Sequence, residues 1–354
     1  MSISDTAVGL RIKIEHTAVK GIVAAIPKKE IDNASFHEKF GETAVNEIVK
    51  MIGVQTRRQT LKNETSADLC QAAAEELLKN LSWDRSTVDA IIFVSQTPDY
   101  RLPATACVLQ NRLNIKKSCV AFDVNLGCSG YVYGLWLASK MIDGVAIKRV
   151  LLLVGDTVSK IVNPDDRATA LLFGDAGSAT AIEFDENAKT SYFVLGTDGA
   201  GECDLIVPEG AYRCSENAGS DSHRDFLEMD GAQVFNFTLK NVPPLVNDLF
   251  EFSAVSVDEV NVFLFHQANQ FMLKHIIKKL KLPIEKAPIN IDKFGNTSSA
   301  SIPLLVADID IADHINGFVV MTGFGVGYSW ATALVDLTNL KVNQLIEFES
   351  NAIP

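Results

Sequence analysis

The chain has 354 residues, of which 47% are hydrophobic and 21% charged, a balance that builds a large core and excludes bulk disorder. Its 32 Lys and Arg against 44 Asp and Glu leave a net charge of −12, which argues against nucleic acid as the main partner. The longest aliphatic runs are of strand length, far short of the ~20 residues of a membrane span.

The N-terminus is polar (Asp5, Arg11, Lys13, Glu15) where a secretory signal would be apolar. Six cysteines (70, 107, 119, 128, 203 and 214) form no CxxC pair. The expectation is therefore a cytoplasmic protein with reduced thiols, no zinc ribbon and no disulfide framework.

In chain order, the apolar periodicity predicts a helix over Ser66–Asn80, a strand at Ala90–Val94, a helix over Thr105–Leu113 and a strand at Cys119–Val124. A helix over Gly130–Asp143, a strand at Val150–Val154 and a strand at Ala179–Ile182 follow. The polar stretch Ala211–Asp225 reads as an exposed loop. Beyond it come a strand at Val260–Phe265, a helix over Phe271–Leu280, a helix over Ala300–Val306, and strands at Phe318–Thr322 and Ala331–Leu334. Alternating β and α predicts an α/β fold of mostly parallel sheets with helices on their faces.

Two helices are apolar all round. Ser129–Ile142 has Lys140 as its only charge, and Ala300–Val306 has none. Such helices belong inside a large protein. Similar features recur about 168 residues apart: Val88-Asp89 with Val257-Asp258, Asp123 with Asp292, Cys128 with Asn296, Leu152 with Val320. This predicts two duplicated βα halves, 1–185 and 186–354, each contributing one internal helix.

Cys128 stands in Asn125-Leu126-Gly127-Cys128-Ser129-Gly130, between a strand and a buried helix. Unpaired N–H groups at a helix start favour a thiolate, and flanking glycines admit a close neighbour. A buried structural cysteine is the alternative. His266 follows its strand directly, where α/β sheets place their sites, although a core histidine fits as well. Asn296 precedes the second buried helix, so the repeat places it opposite Cys128; a plain helix cap is the alternative. Gly323-Phe324-Gly325-Val326-Gly327 reads as a tight turn whose inward N–H groups could hold an oxyanion, or as a turn and nothing more. The other histidines (16, 37, 223, 275, 314) show no metal spacing.

Taken together, Gly127-Cys128-Ser129-Gly130, Asn163-Pro164-Asp165-Asp166-Arg167, Phe173-Gly174-Asp175-Ala176-Gly177, His266-Gln267-Ala268-Asn269, Gly295-Asn296-Thr297-Ser298 and Gly323-Phe324-Gly325 resemble 3-oxoacyl-(acyl carrier protein) synthase III. This is the ketosynthase III branch of the thiolase-like superfamily. The resemblance implies a five-layered αβαβα thiolase-like fold, a homodimer, and a Cys128–His266–Asn296 triad with Cys128 acylated. It further implies an oxyanion hole from the N–H groups of Cys128 and Val326, with Phe324 and Asn269 lining the site. Leu102 would line the acyl pocket of the partner subunit.

The implied activity is loading of an acyl group on Cys128, then decarboxylative condensation with malonyl-acyl carrier protein. The substrates are thioesters on phosphopantetheine or coenzyme A, with no metal and no further cofactor. Glu47 and Met51 replace the Trp and Arg with which the family often clasps the adenine of coenzyme A, Lys160 stands where Arg is frequent, and Phe271 replaces a docking Arg. Arg57 is kept. Lys274, Lys278, Lys279 and Lys281 form a basic stretch suited to an acidic carrier. Two other readings keep the resemblance: acyl transfer to a hydroxyl or amine, and an inactive partner subunit.

Overall fold

The computed structural model describes residues 8–213, 225–309 and 315–350. Eleven strands build two sheets: β1 (Leu10–Ile14), β2 (Thr17–Pro27), β3 (Ala90–Val94), β4 (Val120–Val124), β5 (Arg149–Thr157), β6 (Asp175–Phe184), β7 (Ser191–Thr197), β8 (Val260–Phe265), β9 (Phe318–Gly325), β10 (Ser329–Asp336) and β11 (Val342–Phe348). The first sheet runs β11-β2-β6-β5-β3-β4 and the second β1-β7-β10-β9-β8. Each sheet thus takes one edge strand from the far end of the chain.

The strands read as unbroken apolar runs because both faces of each sheet are covered. Side chains alternate between faces. Ile92, Val94, Leu152 and Val154 face a middle layer, whereas Ile91, Phe93, Leu151 and Leu153 face an outer one. The outer layer is α2 (Ser66–Leu81) with α3 (Thr105–Arg112), packing through Leu69, Leu77 and Leu109. A capping box between Thr65 and Asp68 fixes where α2 begins.

The middle layer is α4 (Gly130–Met141) with α7 (Ser301–Asp308). Tyr131, Leu135, Ile302 and Leu305 pack there against Val262, Leu264 and Met321 of the second sheet. Beyond that sheet lie α5 (Gly231–Ser253) and α6 (Gln270–Leu280), packed through Leu245, Leu249, Leu273 and Ile276. The order α, β, α, β, α is the five-layered arrangement of the expectation. An eleven-residue helix, α1 (Glu42–Ile52), borders the first half. Among the described residues no helix is long and apolar enough to cross a membrane.

Three expectations need correction. The sheets are mixed rather than mostly parallel: β2/β6 and β5/β6 are antiparallel in the first, and only β8/β9 is parallel in the second. The reason is that β9 and β10 form a hairpin and that β6 returns beside β5 without a crossover helix. Gly323 and Gly325 are not in a turn; they pair with Ala331 and Ser329, and the bend follows at Val326–Tyr328. The helix α5 escaped prediction because Pro243 and Pro244 sit inside it. A proline at position 243 leaves the carbonyl four residues earlier without its N–H. Lys279 Nζ donates to that Leu239 oxygen at 2.6 Å. The loop expected at Ala211–Asp225 lies, for 214–224, outside the described residues.

The middle layer has no polar way to relax around a void. Leu135→Ala is expected to destabilise the fold by about 3 kcal/mol, read as an earlier urea midpoint, whereas Val145→Ala, on the surface, should leave it unchanged.

Candidate active site

Cys128 occupies the turn just before α4 and is 7% exposed. Its surroundings are backbone. A Cβ on Gly325 would lie 2.8 Å from both Cβ and Sγ of Cys128, and Gly325 has φ 153°. A Cβ on Gly323 would lie 2.8 Å from the Cys128 carbonyl oxygen. Only glycine lets β9 come this near. Ser129 and Ser329 hydroxyls bond at 2.6 Å and tie the start of α4 to β10. The N–H groups of Val326 and of Cys128 itself are directed at the sulfur.

His266 directly follows β8, its N–H bonded to the Thr322 carbonyl at 2.8 Å. It is buried, and Phe324 meets its ring edge-on at 5.6 Å. Nδ1 lies 2.7 Å from Ser301 Oγ, which also receives the Gln267 N–H at 3.4 Å. Among the described residues Nδ1 is the acceptor at hand for the Ser301 hydroxyl proton, which leaves the imidazole proton on Nε2. Asn296 is held on both backbone sides, by Leu172 O and Gly174 N. Its Oδ1 accepts the Ser298 N–H at 2.9 Å and its Nδ2 donates to Ala268 O at 3.3 Å. The amide orientation is thereby fixed, with one N–H of Nδ2 left over.

Cys128, His266, Asn296, Phe324 and Asn269 all line one cavity of about 70 Å³. The side chain of Asn269 also caps α6, accepting the Met272 N–H at 2.7 Å. Cys128 and Val326 also border an inner cavity of about 40 Å³ with Gln96, Thr97 and Asp156. On the other side a cleft of about 470 Å³, between α1, α5 and α6, adjoins the first cavity and shares with it the walls at Leu172, Met229, Gly231, Asn269 and Met272.

Burial sets the protonation states. It pushes the Cys128 thiol up to about 11; nearby Asp156 adds to this, while the Val326 N–H and the Ser298 hydroxyl oppose it. Burial pushes His266 down to about 3, and the Ser298 carbonyl offsets only a little. The resting pair is thus a thiol beside a neutral imidazole. This corrects the expectation of a resting thiolate: loss of solvent outweighs the donors at the helix start. Burial also raises Asp156, against donors from Gln96 N (2.8 Å), Ser299 Oγ (2.6 Å) and Ser95 Oγ (3.2 Å).

The other expected site residues lie elsewhere. Leu102 is 76% exposed and lines neither the cavity shared by Cys128 and His266 nor the inner one. Arg57 is only 1% exposed, its Nε donating to Asn33 at 2.9 Å and its Nη1 to the Phe173 carbonyl at 3.3 Å. A residue so enclosed is structural and cannot dock a carrier. The Lys160 ammonium is committed to the carbonyls of Lys62 and Glu64. Lys279 is committed to Leu239, so it repairs α5 rather than offering a free charge. Lys274 and Lys278 remain exposed on α6.

Sequence reasoning missed Ser301, Ser298 and Asp156. A serine in an otherwise apolar helix was a usable sign for Ser301, and an aspartate ending a buried aliphatic strand was one for Asp156. Ser298 gave none, since its place depends on a positive φ of 52°.

Alkylation of Cys128 by iodoacetamide should accelerate about tenfold per pH unit from pH 7 to 10, because the thiolate fraction grows that way below a thiol near 11; a plateau above pH 8 contradicts the assignment. For stability, the unfolded chain binds a proton on His266 below about 6.5 that the folded chain refuses until about 3. Stability therefore falls as pH drops through that window. His266→Gln should flatten the fall between pH 6.5 and 4, measured by urea unfolding.

The family model described as 3-Oxoacyl-[acyl-carrier-protein (ACP)] synthase III matches residues 122–199, and its C-terminal counterpart matches residues 250–337. A beta-ketoacyl-[acyl-carrier-protein] synthase III of Clostridium tetani is 35% identical over 88% of this chain and 95% of its own. The crystal structure of a 3-oxoacyl-(acyl-carrier protein) synthase from Burkholderia xenovorans LB400 is 46% identical, with a TM-score of 0.93 over 96% of this chain and 99% of its own. That of a beta-ketoacyl-[acyl carrier protein] synthase III from Thermus thermophilus is 31% identical, with a TM-score of 0.80 over 90% of this chain and 98% of its own. With a catalytic-type Cys, His and Asn gathered on one cavity of this fold and these relatives spanning nearly its whole length, the chain belongs to the 3-oxoacyl-[acyl-carrier-protein] synthase III family of acyl-transferring condensing enzymes.

Proposed function

We propose that Cys128 takes an acyl group from a thioester and passes it, with carbon–carbon bond formation, to a carbanion derived from malonyl-acyl carrier protein. The observation on which this rests is the convergence of Cys128, His266 and Asn296 on one buried cavity. In the first half, the sulfur attacks the thioester carbonyl, the C–S bond to the arm breaks, and the Cys128 proton leaves with the arm as a thiol. In the second, loss of CO₂ from the malonyl group leaves an enolate. The Nε2–H of neutral His266 and the spare N–H of Asn296 hydrogen-bond its oxygen.

A neutral imidazole suits this role. Its Nδ1 is occupied by Ser301, so it donates and has no lone pair free to act as a base on Cys128. The carbanion attacks the acyl carbonyl. The N–H groups of Cys128 and Val326 receive the tetrahedral oxyanion, a contribution of ~3–4 kcal/mol per donor in such sites. Collapse expels the Cys128 sulfur as a thiolate, which takes up one proton from solvent, the proton that the overall condensation consumes. No metal or further cofactor enters the scheme, and the reduced thiol suits a cytoplasmic setting.

A homodimer is supported by the exposed edge strand β4 and by the loop after β3. Gln96 and Thr97 of that loop line the inner cavity, and its Tyr100 and Leu102 are exposed apolar side chains. Lys274 and Lys278 would meet the acidic carrier. The halves 1–185 and 186–354 are read as duplicates, each supplying one middle helix.

Cys128→Ala should abolish the acyl adduct seen by intact-protein mass. His266→Ala and Asn296→Ala should keep loading but lower CO₂ release from labelled malonyl-carrier protein at least about a hundredfold. Loading without CO₂ release in the wild type would favour acyl transfer to a hydroxyl or amine instead.

A further inference from the structure

The Cys128 thiol, held up near 11 by burial, must give up its proton as the sulfur attacks a thioester. The His266 ring offers it no base, since Ser301 occupies Nδ1 and the proton sits on Nε2. The N–H groups of Val326 and Cys128 beside the sulfur only donate. On the inner side, however, a carboxyl stands close: Cys128, Ser298 and Asp156 line the same small cavity.

Asp156, fully buried near the end of β5, meets donors on both oxygens. Oδ1 receives the Gln96 N–H at 2.8 Å and the Ser95 and Thr97 hydroxyls at 3.2 and 3.4 Å. Oδ2 receives the Ser299 hydroxyl at 2.6 Å and the Ser299 N–H at 3.2 Å. Ser95 Oγ and Thr97 Oγ1 already accept the N–H groups of Thr97 and Thr157, at 3.0 and 2.8 Å, so their own protons are free for the carboxyl. The carboxyl is thereby held as an acceptor, and burial makes it a stronger base than an exposed aspartate. The titratable groups facing it are Cys128 and, from α2, Cys70, whose thiol burial pushes up so that it keeps its proton.

Ser298 stands between the two. Its backbone has a positive φ of 52°, and its N–H is fixed on Asn296 Oδ1 at 2.9 Å. Its hydroxyl favours the charged form of both Cys128 and Asp156, as a donor set between two acceptors does. A hydroxyl has one proton and two lone pairs, so it can take a proton on one side and give one on the other. We propose that the Ser298 hydroxyl relays the Cys128 proton to the Asp156 carboxylate as the sulfur attacks, and returns it to the leaving arm. The proposal rests on the acyl-enzyme reading of Cys128. As the new C–S bond forms, the S–H proton moves to Ser298 Oγ and the Ser298 proton moves to Asp156. When the C–S bond to the arm breaks, the arm leaves as a thiolate. The reverse shift, from Asp156 through Ser298, makes it a thiol. Loading neither gains nor loses a proton overall, and Asp156 ends as the carboxylate it began as. Ser298 touches the reacting sulfur; Asp156 acts only through it.

The test follows single-turnover loading of Cys128 by intact-protein mass from pH 7 to 9, beside alkylation by iodoacetamide. Acetyl, butyryl and octanoyl thioesters of N-acetylcysteamine are tried, and the fastest is used. An internal relay makes wild-type loading nearly independent of pH, whereas alkylation, which needs the free thiolate, climbs about tenfold per pH unit. Ser298→Gly removes the hydroxyl at a φ that glycine adopts freely, and Asp156→Asn removes the base at equal size. Each should slow loading at pH 7 about a hundredfold and make it climb with pH as alkylation does. Asp156→Asn should leave alkylation at least as fast as in wild type, because a negative charge beside the thiolate is gone; a site merely loosened would slow both reactions together. Wild-type loading that climbs tenfold per pH unit, variants that load as wild type does, or alkylation slowed along with loading in Asp156→Asn overturns the relay and leaves the acyl-enzyme reading standing. If Asp156→Asn does not fold, Ser298→Gly decides alone. If no thioester loads at any pH, the acyl-enzyme reading falls and the relay with it.

Discussion

The site depends on one close approach: the backbone of β9 lying against Cys128. Side chains at 323 or 325 would occupy space already taken by the carbonyl oxygen, Cβ and Sγ of Cys128. With glycine at both positions, the second sheet can press its last strand onto the start of α4. Two things follow from that contact. Val326, the next residue, brings its N–H to the sulfur. Phe324, between the glycines, packs edge-on to His266 and fixes one wall of the cavity. Cys128 comes from the first half of the chain and the Val326 N–H that meets its sulfur from the second, so the sheet-to-helix packing and the geometry of the site are a single fact.

That packing also explains the electrostatics. A cysteine and a histidine enclosed between two sheets lose their hydration, and each is driven to its neutral form. An ion pair would have to be built in a low-dielectric interior, where desolvation is costly. The neutral forms need only hydrogen bonds, which Ser301 supplies to His266 and Ser298 to Cys128. Asp156 is the exception, a buried carboxyl close to the thiol. Backbone N–H of Gln96 and Ser299 and hydroxyls of Ser95 and Ser299 surround it. Its network ties the end of β5 to the loop before α7 and so helps hold that loop where it offers Ser298 to the sulfur.

Much of this was legible in the residues. Strands covered on both faces leave unbroken runs such as Val150–Val154, and helices buried all round leave stretches such as Ala300–Val306. Both signatures are compositional, so they survive without knowledge of the tertiary structure. The gathering of Cys128, His266 and Asn296 on one cavity was legible because each stands at the end of a strand or the start of a helix, Cys128 and Asn296 beside glycine and His266 directly after its strand. Less was legible where a side chain's role is set by something distant in sequence. Arg57 resembles a surface cation but is enclosed by Asn33 and the Phe173 carbonyl. Lys279 resembles part of a basic face, yet a proline pair some way earlier in the chain claims it. Strand direction failed for the same reason: β6 returns beside β5, and a chain-order pattern does not record that.

The sulfur stands between two unlike spaces. Outside is the cavity it shares with His266 and Asn296, next to the large apolar cleft; inside is a small, mostly apolar cavity that Gln96, Thr97 and Asp156 also border. The outer cleft is lined by residues of α1, α5 and α6, and among the described residues its one ionisable side chain is Arg167. The inner space is bordered by the loop that ends in exposed Tyr100 and Leu102, beside the unpaired edge of β4. Exposed apolar side chains next to an open sheet edge are the features that a second copy covers.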